Sequence, residues 1–186
     1  MTDLEKLAAR LDRLESKDAI RNLVTAYAIA CDEHDIPRLA DLFTEDADFG
    51  SPNGKMVSSG REAIREMFIN TFRIRGPAFH WTHDVTVTID EGDPDRATGL
   101  VYSHAETTPN GVVSIAAMKY HDTYRREAGV WRIASRQIQF LYYVPYAKYG
   151  EALTSTNRVL MGGDLIPADY PESLPAWQEY ARTHLS

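Results

Sequence analysis

Apolar residues follow two kinds of spacing along this chain. In the first third they recur every three or four positions: Leu4, Leu7, Ala8, Leu11 and Leu14, then Ile20, Leu23, Val24, Tyr27, Ala28 and Cys31. That spacing predicts amphipathic helices. Ser16 can cap a second helix, so the pattern reads as one helix from Leu4 and another over residues 17–32. Asp35 can cap a short helix over 36–43, with Pro37 tolerated in its first turn. Glu45-Asp46-Ala-Asp48-Phe49 leads into an extended segment, and the Asn53-Gly54 pair that follows suits a hairpin turn. Gly60-Arg-Glu-Ala-Ile opens a further helix that ends before Gly76-Pro77.

From His80 the period becomes two. Trp81, His83, Val85, Val87 and Ile89 fall on one face, and His80, Thr82, Asp84, Thr86 and Thr88 on the other. Three more strands are predicted over 97–107, 111–125 and 130–143, with a hairpin turn at 126–129. Helices followed by a strand meander predict an α+β fold with a curved, mostly antiparallel sheet. Residues 1–143 form the expected domain. Residues 144–186 read as an extension rich in proline and glycine, with a short helix over 175–182. It carries Leu160, Met161, Leu165, Ile166 and Trp177, so it is expected to cover a pocket or a neighbouring subunit.

Composition narrows the function classes. At 186 residues the chain is long enough for one well-buried core. A net charge of −7 argues against a nucleic-acid or anionic-membrane surface. No run approaches the roughly 18 apolar residues of a membrane span, and the N-terminus lacks the apolar core of a signal peptide. A cytoplasmic protein is expected. The single cysteine, Cys31, excludes an internal disulfide and any multi-cysteine metal site. No glycine-rich phosphate loop is present, so no nucleotide cofactor is implied. His80 and His83 would point to opposite faces of a strand, which argues against a metal there.

The candidate chemistry centres on Asp32, beside the buried stripe at the end of its helix. A carboxylate at a helix C-terminus faces the unfavourable end of the dipole and calls for compensation if it stays ionised. His80 is the expected partner. A histidine can take a proton near neutral pH when a second group orients its other ring nitrogen. Bland readings compete at each position. Asp32 could be a solvated helix end, and His80 could satisfy a buried backbone group. Tyr27 could be packing. Arg136 shares strand parity with Arg132 and Phe140 and could face solvent. His34 and His121 read as surface residues, and Cys31 as a small buried one.

Several stretches resemble the SnoaL-like group of the nuclear transport factor 2-like superfamily. They are Asp18-Ala-Ile-Arg-Asn-Leu, Tyr27…Cys31-Asp32, Arg38-Leu-Ala-Asp-Leu-Phe, Gly60-Arg-Glu-Ala-Ile, Phe79-His80 and Gly129-Val-Trp131-Arg-Ile. The resemblance implies a cone: a curved sheet wrapped by N-terminal helices around a pocket. It is nearest the dehydratase-like branch, which includes scytalone dehydratase, hexachlorocyclohexane dehydrochlorinase and bile-acid 7α-dehydratase. What the branch implies here is a His80–Asp32 base, with Arg136 and Tyr27 aiding the leaving group and His104 as nearest equivalent of a second histidine. Phe49, Trp81, Tyr102, Met118, Tyr120 and Phe140 complete the expected substrate contacts. The implied activity is a cofactor-free lyase, of dehydratase type, on a small hydrophobic cyclic or aromatic substrate. Carbon–carbon cleavage releasing formaldehyde or another carbonyl, isomerisation and non-catalytic ligand binding are the alternatives. A homo-oligomer is expected, a trimer before a dimer.

Overall fold

The computed structural model describes residues 2–52, 54 and 56–185. Asn53 of the expected Asn-Gly turn lies outside them, although Gly54 N–H donates to Ser51 C=O at 2.9 Å. The chain begins with one helix, α1 (Asp3–Asp32), not two. Ser16 does not interrupt it. Its side chain is buried, and its hydroxyl accepts from Arg126 Nη1 at 3.3 Å. Thr2 caps the helix instead, in a reciprocal box with Glu5. α2 (Ile36–Asp41) starts at the Asp35 cap. β1 (Phe43–Gly50), β2 (Val57–Ser59) and α3 (Arg61–Ile74) follow.

The meander is β3 (Phe79–Ile89), β4 (Arg96–Thr107), β5 (Ser114–Glu127) and β6 (Val130–Pro145). The order across the sheet is β2-β1-β6-β5-β4-β3. Neighbours are antiparallel except that β1 runs parallel to β6. The sheet curls without closing, an α+β cone. Its concave face holds Val87, Ile89, Val101, Tyr120, Ile133 and Ile138, against which α1 lays Ile20, Leu23, Val24 and Tyr27. The β5–β6 turn places Ala128 and Gly129 at φ 49° and 82°. These are the left-handed conformations that a tight hairpin of this kind needs.

The segment after β6 returns to the sheet. Past a short helix, α4 (Tyr149–Ala152), come β7 (Asn157–Met161), β8 (Asp164–Pro167) and α5 (Pro175–His184). β7 adds to β6 in parallel at Tyr143↔Val159, on the edge β1 leaves free, and Val159 is fully buried. Asp169 exchanges hydrogen bonds with Phe140 at 2.9 and 3.0 Å. Arg158 uses all five N–H donors: one to Leu141 C=O, one each to Ser155 and Tyr170 C=O, and two to Glu172, at 2.7–2.8 Å. A guanidinium with every donor satisfied fixes the turn that brings the chain back.

Three bulges set which side chains face inward. In β3 the register shifts between Thr82 and Val85, while β4 advances only from Ser103 to Val101. His83 or Asp84 is the extra residue. His80, Thr82, Val85, Val87 and Ile89 therefore share the concave face, which corrects the strict alternation expected from sequence. In β6, Ala134 is extra between Ile133 and Ser135, and Leu141 between Phe140 and Tyr142. The first of these turns Arg136 inward although Arg132 points out.

Candidate active site

Asp32 closes α1, whose last turn has no basic residue. Its carboxylate is compensated by β3. The His80 backbone N–H reaches both oxygens at 3.0 and 3.1 Å, and His80 Nδ1 lies 2.6 Å from Oδ1. The two side chains are 7% and 23% exposed for His80 and Asp32. An ionised carboxylate only accepts, so Nδ1 carries a hydrogen, and in the neutral imidazole Nε2 keeps its lone pair. Among the described residues Nε2 has no partner. One residue thus satisfies the helix end twice and leaves a basic nitrogen free on the concave side.

Tyr27 lies five residues before Asp32, about 7.5 Å along the helix. Its ring meets Phe43, Phe68 and Tyr120 edge-on at 6.0–6.2 Å. Burial first, then the neighbouring Cys31 and Tyr120, push its hydroxyl well above the ordinary tyrosine range. It stays a protonated donor. Burial likewise pushes the Cys31 thiol up to about 11, which makes it a poor nucleophile.

Arg136 is fully buried. Its guanidinium sits 4.1 Å from the Tyr27 ring centre and 4.3 Å from that of Tyr120. Asp122 receives Nε at 2.9 Å and Nη2 at 2.6 Å. Burial alone would lower the arginine's pKa. The charge and hydrogen bonds of Asp122 more than reverse that and hold it well above its usual value. Nη1 is buried without a partner among the described residues. An orphaned cationic donor is costly unless something accepts from it.

Asp122 is the residue that sequence reasoning missed. It also accepts from Tyr124 Oη at 2.6 Å. The signal was available: Met118, Tyr120, Asp122 and Tyr124 alternate with outward residues, so an acid stands on an aromatic face. Gly99 pairs with Asp122 across β4, and a Cβ there would come within 2.8 Å of the Tyr124 ring.

Of the other expected contacts, Phe49, Met118, Tyr120 and Phe140 belong to the buried core on the concave side. Trp81, Tyr102 and His104 do not join them. Their strand neighbours, His80 and Thr82 on β3 and Ser103 and Ala105 on β4, point inward, so these three point out. Trp81 is 57% exposed and donates to Glu106 at 2.9 Å. Tyr102 lies beneath Lys119, whose ammonium also sits 3.3 Å from the Tyr170 ring centre. His104 Nδ1 lies 2.7 Å from His83 Nε2 on the convex side, so it cannot serve as a second base beside His80. Burial and the facing His83 lower its pKa. A groove of about 470 Å³ lies on that convex side, lined by Thr86, Thr88, Thr98, Leu100, His121 and Thr123.

A model of the SnoaL-like domain matches residues 12–137, about two thirds of the chain. The chain belongs to the SnoaL-like domain family. Within that family's reach, gamma-hexachlorocyclohexane dehydrochlorinase of Sphingobium indicum is 26% identical over 141 residues, spanning 74% of this chain and 88% of its own. The structure of hexachlorocyclohexane dehydrochlorinase LinA-type3 from Novosphingobium barchaimii superposes with a TM-score of 0.67. At 23% identity over 74% of this chain and 94% of that one, it supports the shared fold. An NTF2-like protein with a cystatin-like fold from Novosphingobium aromaticivorans is 29% identical, with a TM-score of 0.61 over 76% and 92% of the two chains. The SnoaL-like match ends at Gln137, so the segment that Arg158 anchors lies outside it.

Proposed function

We propose that this protein is a cofactor-free lyase that removes a proton and an adjacent leaving group from a small, largely apolar cyclic molecule. The observation that carries the reading is the 2.6 Å contact between His80 Nδ1 and Asp32. It orients the ring, fixes the tautomer and stabilises the imidazolium formed when Nε2 takes a proton. The similarity to a dehydrochlorinase supports the reaction class.

The step balances without a redox partner. Nε2 takes a proton from carbon, the C–H pair becomes the new C=C bond, and the C–X pair leaves with X. The buried aromatic lining favours an apolar ring in the cone. Arg136 Nη1 and the protonated Tyr27 hydroxyl are the donors available to developing negative charge. If X is hydroxide, the imidazolium returns its proton and water is released, the outcome we favour.

The test is turnover of two panels, polychlorinated cyclohexanes and β-hydroxy cyclic ketones, followed by product mass and chloride release. His80→Ala should cut turnover by roughly 10²–10⁴-fold with unchanged circular dichroism. Undiminished turnover in that variant removes His80 as the base.

A further inference from the structure

The start of α1, ahead of Asp12, contributes nothing to the buried core of the cone. Residues Asp3 to Leu11 extend about 14 Å beyond the point where Arg126 grips Asp12 and Ser16 at 2.7 and 3.3 Å. Leu4, Leu7, Leu11 and Leu14 are 77%, 61%, 54% and 66% exposed. Their spacing of three, four and three is that of the a and d positions of a coiled-coil seam. The seam is not an extension of the stripe that packs in the core. Ile20, Leu23, Val24, Tyr27 and Cys31 lie roughly 160° away around an ideal helix. Continued past Leu14, the leucine seam meets Asp18, Arg21 and Thr25, all exposed. It therefore ends where the helix enters the body.

We propose that this arm pairs in parallel with the same arm of a second copy of the chain. Charge selects both the occupant and the direction. With leucines at a and d, Arg10 falls at g and Glu15 at the e position that follows. A parallel, in-register pair sets Arg10 of each helix against Glu15 of the other. An antiparallel pair would instead set Arg10 against Arg10. Among the described residues neither Arg10 nor Glu15 has an ion pair within its own chain. Two heptads are short for a free peptide, but the rest of α1 is packed in the cone. The helix is already nucleated, and its ordering cost is met before pairing.

Sedimentation equilibrium on the full chain tests this. Wild type should self-associate. Leu7→Lys with Leu11→Lys should weaken association by roughly tenfold or more, with the circular dichroism of the cone unchanged, because these exposed leucines lie outside its core. Arg10→Glu and Glu15→Arg should each weaken association, and the two together should restore it. A second readout fixes direction. Leu7→Cys should give a disulfide-linked dimer on mild oxidation, joined through position 7 of each copy, since Cys31 is buried. A monomeric wild type, or association unmoved by the leucine changes, overturns the proposal. So does a charge swap that fails to restore association.

Discussion

Replacing Asp122 by Ala removes the one charged partner that a fully buried guanidinium has among the described residues. Two hydrogen bonds, at 2.9 and 2.6 Å, go with it, and Tyr124 loses its acceptor. Breaking a buried pair from one side costs about 3–5 kcal/mol, because the remaining charge stays desolvated. The tyrosine hydroxyl adds about 1 kcal/mol or more. The flanking rings of Tyr27 and Tyr120 recover part of this through cation–π attraction, about 1–2 kcal/mol. A net loss of about 2–5 kcal/mol is a large share of the roughly 5–15 kcal/mol that holds a domain together. In urea, with a slope of about 2–3 kcal/mol per molar, the midpoint should fall by about 0.7–2.5 M. The companion variant is decisive. Asp122→Leu with Arg136→Met removes both charges and puts apolar side chains in their place. It should return to within about 1–2 kcal/mol of wild type. A single variant costing under about 1 kcal/mol, or a double variant as unstable as the single, would show that the pair does not work this way.

Three further outcomes are expected. Ala128 sits at φ 49°, where a Cβ is strained, so Ala128→Gly should raise stability by roughly 0.5–1 kcal/mol, read as a higher thermal midpoint. Cys31, raised to about 11, should react with a disulfide reagent at pH 8 only as fast as the chain opens; rapid labelling of the folded protein would contradict its burial. Arg158 holds the Glu172 carboxyl below its ordinary range, so that contact stabilises the fold above the unfolded value of 4.5 and loses its contribution as pH falls through the lower, folded value. The protection of residues 157–170 against hydrogen exchange, taken relative to the intrinsic rate at each pH, should fall on acidification in wild type, and Glu172→Gln should start less protected at neutral pH and lose less.

Much of the fold could be read from spacing alone. The helical stripe, the change to period two near His80 and the hairpin before Val130 all placed elements within a few residues. The electrostatic mismatch at a helix end called for a partner to Asp32, the family resemblance pointed to His80, and the geometry joins those two groups. What the pattern did not reveal was facing. Parity counted along β3 and β6 fails at His83–Asp84 and at Ala134, where one strand gains a residue over its neighbour. It therefore grouped Trp81 with Val85, Val87 and Ile89, and Arg136 with Arg132. The return of the chain along β6 was equally hidden, because β7 is held mainly by Arg158 and a single bridge and not by a periodic apolar face.

The β3 bulge divides one strand into two independently phased parts. Val85, Val87 and Ile89 are phased by their own pairing with β4 and carry the core, while His80 and Thr82 are phased by the extra residue. Loss of one residue at 83–84 would turn His80 to the outside while the core half kept its register. A change of two would leave both halves facing as they do now. Insertions and deletions at this point thus act as a parity switch on the Asp32–His80 contact and leave the pairing of Val85, Val87 and Ile89 in place. A scaffold built this way can break or restore the contact between His80 and Asp32 in a single step of chain length while its core half keeps its pairing.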